Sequence, residues 1–136
     1  MELLSMLVNK NIITIDEKVT AQEAARTMRD KKIGSLIVTQ GEKEAGIISE
    51  TDLARKAVAD GMDAQKTPVS ALMSSPIISI EINETPERAN EVMKQEGIRH
   101  LGITENGKLV GIISVRDLLR YFKVYYDGIG SLKGGK

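Results

Sequence analysis

The sequence predicts an α+β fold made of two β-α-β-β-α repeats packed about an approximate two-fold axis. The chain matches itself at an offset of 65 residues, with about nineteen identities between segments 5–56 and 70–121. Short isoleucine-rich runs alternate with stretches of helical periodicity. An Asn-Gly pair, Asn106-Gly107, sits between two apolar runs, where a hairpin would turn. In a chain of 136 residues, neither copy could bury much surface alone, so the copies are expected to close on each other and leave clefts between related surfaces.

The first strand of each copy is Ile12-Ile13-Thr14-Ile15 and its echo Ile77-Ile78-Ser79-Ile80, β-branched as a buried strand requires. Thr20 then caps a helix with Glu23 three residues on, the capping-box spacing, and Ala24, Ala25 and Met28 form its apolar face. In the second copy Thr85 is the cap, Pro86 takes the first helical position and Gly97 supplies a left-handed stop. Ile33 and Leu36 return as Ile98 and Leu101. Residues 36–38 and 45–48 read as two strands turning around Gly41, mirrored by 101–103 and 109–113 around Asn106-Gly107. A final helix starts at Ser49 or Ser114, the second continuing through Tyr121 toward Tyr126. Glycines 128, 130, 134 and 135 then predict a frayed end. The resulting boundaries are 1–60 for the first repeat, 61–68 for a linker, 69–126 for the second repeat and 127–136 for a flexible tail.

Composition narrows the function. Nineteen basic and nineteen acidic side chains cancel, so no global field draws the protein to nucleic acid or an anionic membrane, and an anionic ligand must be held by local groups. No run of about 20 apolar residues and no signal-peptide pattern is present, which predicts a cytoplasmic protein. The absence of cysteine removes disulfides, thiol chemistry and cysteine-ligated metals, and His100 is the sole histidine, so no metal site is expected. Neither a phosphate-binding Gly-Lys loop nor a nucleophile elbow appears, and an enzyme is not expected.

The repeated Ser-x-x-Asp, Ser49 with Asp52 and Ser114 with Asp117, has two compatible readings. As a capping box, the serine and the carboxylate satisfy the first backbone N–H groups of a helix. As a binding element, the carboxylate accepts hydrogen bonds from the two hydroxyls of a ribose, with the helix start helping to hold a phosphate.

These strings carry a family resemblance. Gly46-Ile47-Ile48-Ser49-Glu50-Thr51-Asp52-Leu53, Gly111-Ile112-Ile113-Ser114-Val115-Arg116-Asp117-Leu118 and Gly97-Ile98-Arg99-His100-Leu101, with Val69-Ser70-Ala71-Leu72-Met73 opening the second unit, resemble a tandem CBS-domain pair, or Bateman module, of the stand-alone kind over residues 2–122. The resemblance implies a site in each repeat where the aspartate binds ribose, the serine lies near ribose or phosphate, and the base rests on apolar strand residues. It maps onto Thr14, Ile15, Ile33, Ser35, Ser49 and Asp52, and onto Ser79, Ile80, Ile98, His100, Ser114 and Asp117. AMP, ADP or ATP is the implied ligand, with S-adenosylmethionine an alternative. Arg99, His100, Arg116 and Arg120 cluster in the second repeat, whereas Glu50 adds negative charge to the first. The Asp117 site is therefore expected to be the better anion binder, although Arg116 and Arg120, one turn apart, also fit a solvated helix face. Arg99 and His100 alternate along a strand, so only one faces a given cleft. Ile37 and Gly102 stand where many family members carry proline. The aromatics Tyr121, Phe122, Tyr125 and Tyr126 fit either the protein's own core or a dimer contact, and the resemblance implies a homodimer that signals to an unknown effector protein. A constitutive docking module is the competing expectation.

Overall fold

The computed structural model describes residues 4–134, with side chains through 124. The chain forms two compact units, Ile12–Ile78 and a second that joins the N-terminal segment through Asn11 to the chain from Ser79 onward.

In Ile12–Ile78, β1 (Thr14–Asp16), α1 (Ala21–Lys31), β2 (Ser35–Gln40) and β3 (Lys43–Ser49) precede α2 (Glu50–Asp52), which continues as a π-helical segment, Leu53–Val58. The sheet order is β1-β2-β3, with β1 parallel and β3 antiparallel to β2. The second unit repeats this with β4 (Ser79–Glu81), α3 (Pro86–Glu96), β5 (His100–Glu105), β6 (Lys108–Ser114) and α4 (Val115–Gly134), and the same mixed pairing. The predicted element order holds in both.

Local chemistry explains most boundaries. Thr20 Oγ1 accepts from the Glu23 N–H at 3.3 Å, and Thr85 Oγ1 from the Arg88 N–H at 3.1 Å, with Pro86 opening α3. Each of these helices ends on a left-handed residue, Lys32 at φ 56° and Gly97 at φ 65°. Asn106 and Gly107 take φ 53° and 80°, as a two-residue hairpin turn of the favoured hand demands.

Some expectations need correction. The first strands begin at Thr14 and Ser79, not at Ile12 and Ile77, because β1 pairs with β2 only from Ile37 onward and β4 with β5 only from Gly102. Ala25 is exposed; the buried stripe of α1 is Ala21, Ala24 and Met28. Helix α4 runs to Gly134, past residue 127, since a glycine costs about 1 kcal/mol in a helix without ending it. The side chains of Tyr125, Tyr126 and the expected tail lie outside the described residues.

The segments that open the two sequence copies have exchanged places. Leu4–Met6 and Val69–Ala71 are equivalent short 3-10 turns. Val69 donates to the Val19 carbonyl at 2.8 Å and Ser74 bridges Ile47 of β3, both within Ile12–Ile78. Leu4 donates to the Glu84 carbonyl at 3.3 Å and Asn9 bridges Ile112 of β6. The compact units are thus cut differently from the sequence copies. Glycine stands at both crossings because a Cβ on Gly46 would meet the Ser74 carbonyl oxygen at 2.7 Å, and one on Gly111 the Asn9 carbonyl oxygen at 2.7 Å. Residues 61–68 also belong to the first unit, where the Thr67 and Ala64 carbonyls accept from Ala21 and Gln22 at 2.8 and 3.0 Å, satisfying N–H groups that open α1.

The core of Ile12–Ile78 packs Ala21, Ala24 and Met28 of α1 with Leu36, Val38, Ile48, Ala57, Val69 and Leu72. Each large aliphatic side chain so buried contributes about 1.5–3 kcal/mol. In the other unit Leu4, Ala89, Val92, Met93, Leu101, Ile103, Ile113 and Leu118 are buried.

Candidate functional site

Each sheet delivers a serine to the end where the next helix starts. Ser35 pairs with Ser49, and His100 with Ser114. Directly opposed residues of an antiparallel pair share a face, so His100 lies on the face of Ser114, while exposed Arg99 precedes β5 and receives the Val115 N–H on its carbonyl at 2.9 Å. Thr14 opposes Ile37, which opposes Ile47, and this row shares its face with Ser35 and Ser49. Ser79, Gly102 and Ile112 form the corresponding row in the second unit. Ile15 and Ile33 instead pack against the α1-facing core. By register Ile80 lies on the face opposite Ser79, beside Ile103, and Ile98, partly buried, donates its N–H to the Met93 carbonyl at the end of α3.

The Ser-x-x-Asp motif forms the same hydrogen-bonded ring twice. Asp52 Oδ2 accepts from the Ser49 N–H at 2.9 Å and the Ser49 hydroxyl at 3.0 Å, while Ser49 Oγ accepts from the Asp52 N–H at 3.2 Å. Asp117 Oδ2 accepts from the Ser114 N–H and hydroxyl at 2.8 and 2.9 Å, and Ser114 Oγ accepts from the Asp117 N–H at 3.2 Å. Capping therefore fixes one oxygen of each carboxylate and leaves the other, Oδ1, to the surroundings.

Those surroundings differ. Asp52 is buried, 8% exposed, and Lys56 Nζ lies 3.1 Å from its Oδ1 while donating to the Leu72 carbonyl at 2.8 Å. Asp117 is half-buried, and among the described residues its Oδ1 accepts no hydrogen bond and forms no ion pair. Arg116 and Arg120 are exposed, as the solvated-face reading has it, and with Arg99 form no ion pair among the described residues. Glu50 is also exposed.

Two residues escaped the sequence reading. The Asp52-to-Lys56 spacing is that of an i,i+4 helical ion pair and could have been noticed. Glu81 could not, since its partners are distant in sequence. Its carboxylate accepts from the Thr104 hydroxyl, the Asn106 N–H at 3.1 Å and the Gly107 N–H at 3.3 Å, and the Thr104 bond first, then the turn's N–H groups, hold it below the ordinary glutamate range. Tyr121 and Phe122 meet edge to face at 5.1 Å.

Among the described residues no helix is long and apolar enough to cross a membrane, and no three histidine, aspartate or glutamate side chains gather as metal ligands.

The model of the CBS domain matches twice, over residues 4–59 and 69–124. An uncharacterised protein of Methanopyrus kandleri is 37% identical over 82% of this chain, which spans 58% of that protein's length. The CBS domain-containing protein YhcV of Bacillus subtilis is 36% identical over 79% of this chain and 76% of its own. Among solved structures, a proposed signal-transduction protein with CBS domains from Burkholderia ambifaria superposes with a TM-score of 0.79 at 31% identity, covering 83% of each chain. A hexameric CBS-CP12 protein of bloom-forming cyanobacteria superposes at 0.80 and 29% identity, covering 88% of this chain and 70% of that one.

Proposed function

This chain belongs to the CBS-domain family as a tandem pair, and from that premise we propose that it is a non-catalytic cytoplasmic module that binds an adenine nucleotide or adenosyl ligand and relays occupancy to a partner protein. The observation that carries this reading is the duplicated Ser-Asp ring, which presents a fixed carboxylate at the end of each sheet. A carboxylate held rigidly by its own helix start is pre-organised to accept the two hydroxyls of a ribose. In the first repeat we assign Thr14, Ser35, Ser49 and Asp52 to the ligand, and Ile15 and Ile33, whose side chains pack against the core, to backbone contacts. In the second we assign Ser79, His100 and Ser114, which share one face by register, together with Asp117 to the sugar, Ile80 and Ile98 to backbone contacts, and the exposed Arg99 and Arg116 to phosphate oxygens. AMP, ADP and ATP are the ligands of choice, and S-adenosylmethionine the alternative. Binding can reach a partner only by favouring one arrangement of the protein over another.

Thermal melting in the presence of each compound tests the reading. A ligand at 100 times its dissociation constant adds about 2.7 kcal/mol to stability, and a chain that melts identically with all four compounds is not an adenosyl sensor.

A second reading, constitutive association, draws on a different observation. Leu119 and Val124 of α4 are 64% and 68% exposed, a disposition suited to contact with another chain. We expect a homodimer; sedimentation of the protein without ligand checks this, and a hexamer like that of the cyanobacterial protein would redirect it.

A further inference from the structure

The two aspartates are equivalent in sequence and in capping, yet they do not offer a ligand the same thing. A carboxylate has about four acceptor positions, two on each oxygen. In both repeats Oδ2 is filled by the serine N–H and hydroxyl. The vicinal hydroxyls of a ribose therefore need both remaining positions, on Oδ1. At Asp117 both are open among the described residues. At Asp52 one is taken by Lys56 Nζ at 3.1 Å, which leaves a single position for two hydroxyls.

Lys56 is also held from the other side. Its second bond, to the Leu72 carbonyl at 2.8 Å, gives the ammonium two fixed acceptors and keeps it half-buried, with 43% of its side chain exposed. The helix that bears it is π-helical over Leu53–Val58, whereas α4 is α-helical where Tyr121 replaces the lysine. Wide π turns recur where a helix has been adapted to a local task.

We propose that Lys56 is the built-in occupant of the first repeat's ribose position, so that Asp52 serves as a structural latch and the chain takes up adenosyl ligands at Asp117 alone. This rests on the ribose reading of the Ser-Asp ring given above, and it makes Lys56 the residue that sets the number of ligands per chain.

The test counts AMP bound per chain by calorimetry and equilibrium dialysis in the wild type and in Lys56→Met, with Lys56→Tyr, which copies the second repeat, as the substitute if the methionine variant does not melt cooperatively. The wild type is expected to bind one AMP, lost in Asp117→Ala. Lys56→Met is expected to bind one more than the wild type, and the addition is expected to vanish in Lys56→Met/Asp52→Ala. A wild type that binds two, or a folded Lys56 variant with an unchanged count, overturns the latch. A wild type that binds none while Lys56→Met gains one upholds the latch and defeats the sensor reading of the native protein. If neither binds, both ideas fall.

Discussion

The two repeats tie down their acidic side chains most firmly at opposite ends of nearly identical sheets. In Ile12–Ile78 the acid that is tied down most firmly is Asp52, at the helix end, with Lys56 on its Oδ1. In the other unit the helix-end acid, Asp117, keeps an oxygen open among the described residues, while Glu81 at the far end grips the Asn106-Gly107 turn. The carboxylate of Asp16, the counterpart of Glu81, accepts among the described residues only from the Lys18 N–H two residues along. A duplicated backbone can thus carry two distributions of charge, and the capping ring that looks most alike in sequence says least about which repeat is equipped for a ligand.

Substitutions at matched positions break or sharpen that comparison. Ile48→Ala and Ile113→Ala empty equally buried sites, and each is expected to cost about 3 kcal/mol in urea denaturation. Penalties differing by more than about 2.5 kcal/mol, beyond the usual spread of partial relaxation, would mean that the cores are not equivalent. Gly46→Ala and Gly111→Ala drive a methyl into a backbone oxygen at 2.7 Å, and a loss of about 2 kcal/mol is expected at each; a neutral result would show that the opening segments yield freely.

The aspartates should separate. Asp52→Ala removes the ring and strips Lys56 of its carboxylate, for about 2 kcal/mol, whereas Asp117→Ala removes a cap alone, for about 1 kcal/mol. Equal losses in denaturation would erase the contrast on which the latch stands. The smallest effect belongs to Glu81→Gln, whose carboxylate is at the surface. Because the folded pKa lies below the unfolded value near 4.5, the stabilisation is complete above that value and fades as pH falls through the folded pKa. Melting temperatures of wild type and Glu81→Gln should differ at pH 6 and converge at more acidic pH; a gap that persists there would point to packing instead.

Much of this was legible because it is local. Thr20, Thr85, Pro86 and Gly97 act within one helical turn, and Asn106-Gly107 declares its hairpin in two residues. The Ser-Asp rings span three positions and could be read from spacing alone. What escaped depends on partners far along the chain. The late start of β1 is set by where Ile37 lies, the Glu81 grip by residues over twenty positions away, and the exchange of opening segments by carbonyls of Ser74 and Asn9 that sequence periodicity does not record. For the candidate site, residue types were readable, but the electrostatic difference between Asp52 and Asp117 turned on one lysine amine reaching the Leu72 carbonyl.

The exchange of opening segments bears on how the protein is made. Ile12–Ile78 is one uninterrupted stretch and can finish packing while later residues are still emerging from the ribosome, since domains fold as units during synthesis. The other unit needs Asn9 to meet Ile112, so a strand partner made before Ile12–Ile78 is satisfied only after that stretch has been made. Closing that long loop carries an entropic cost that grows only slowly with its length, and the order of birth therefore sets the order of completion, with the Lys56 unit first and the Asp117 unit second.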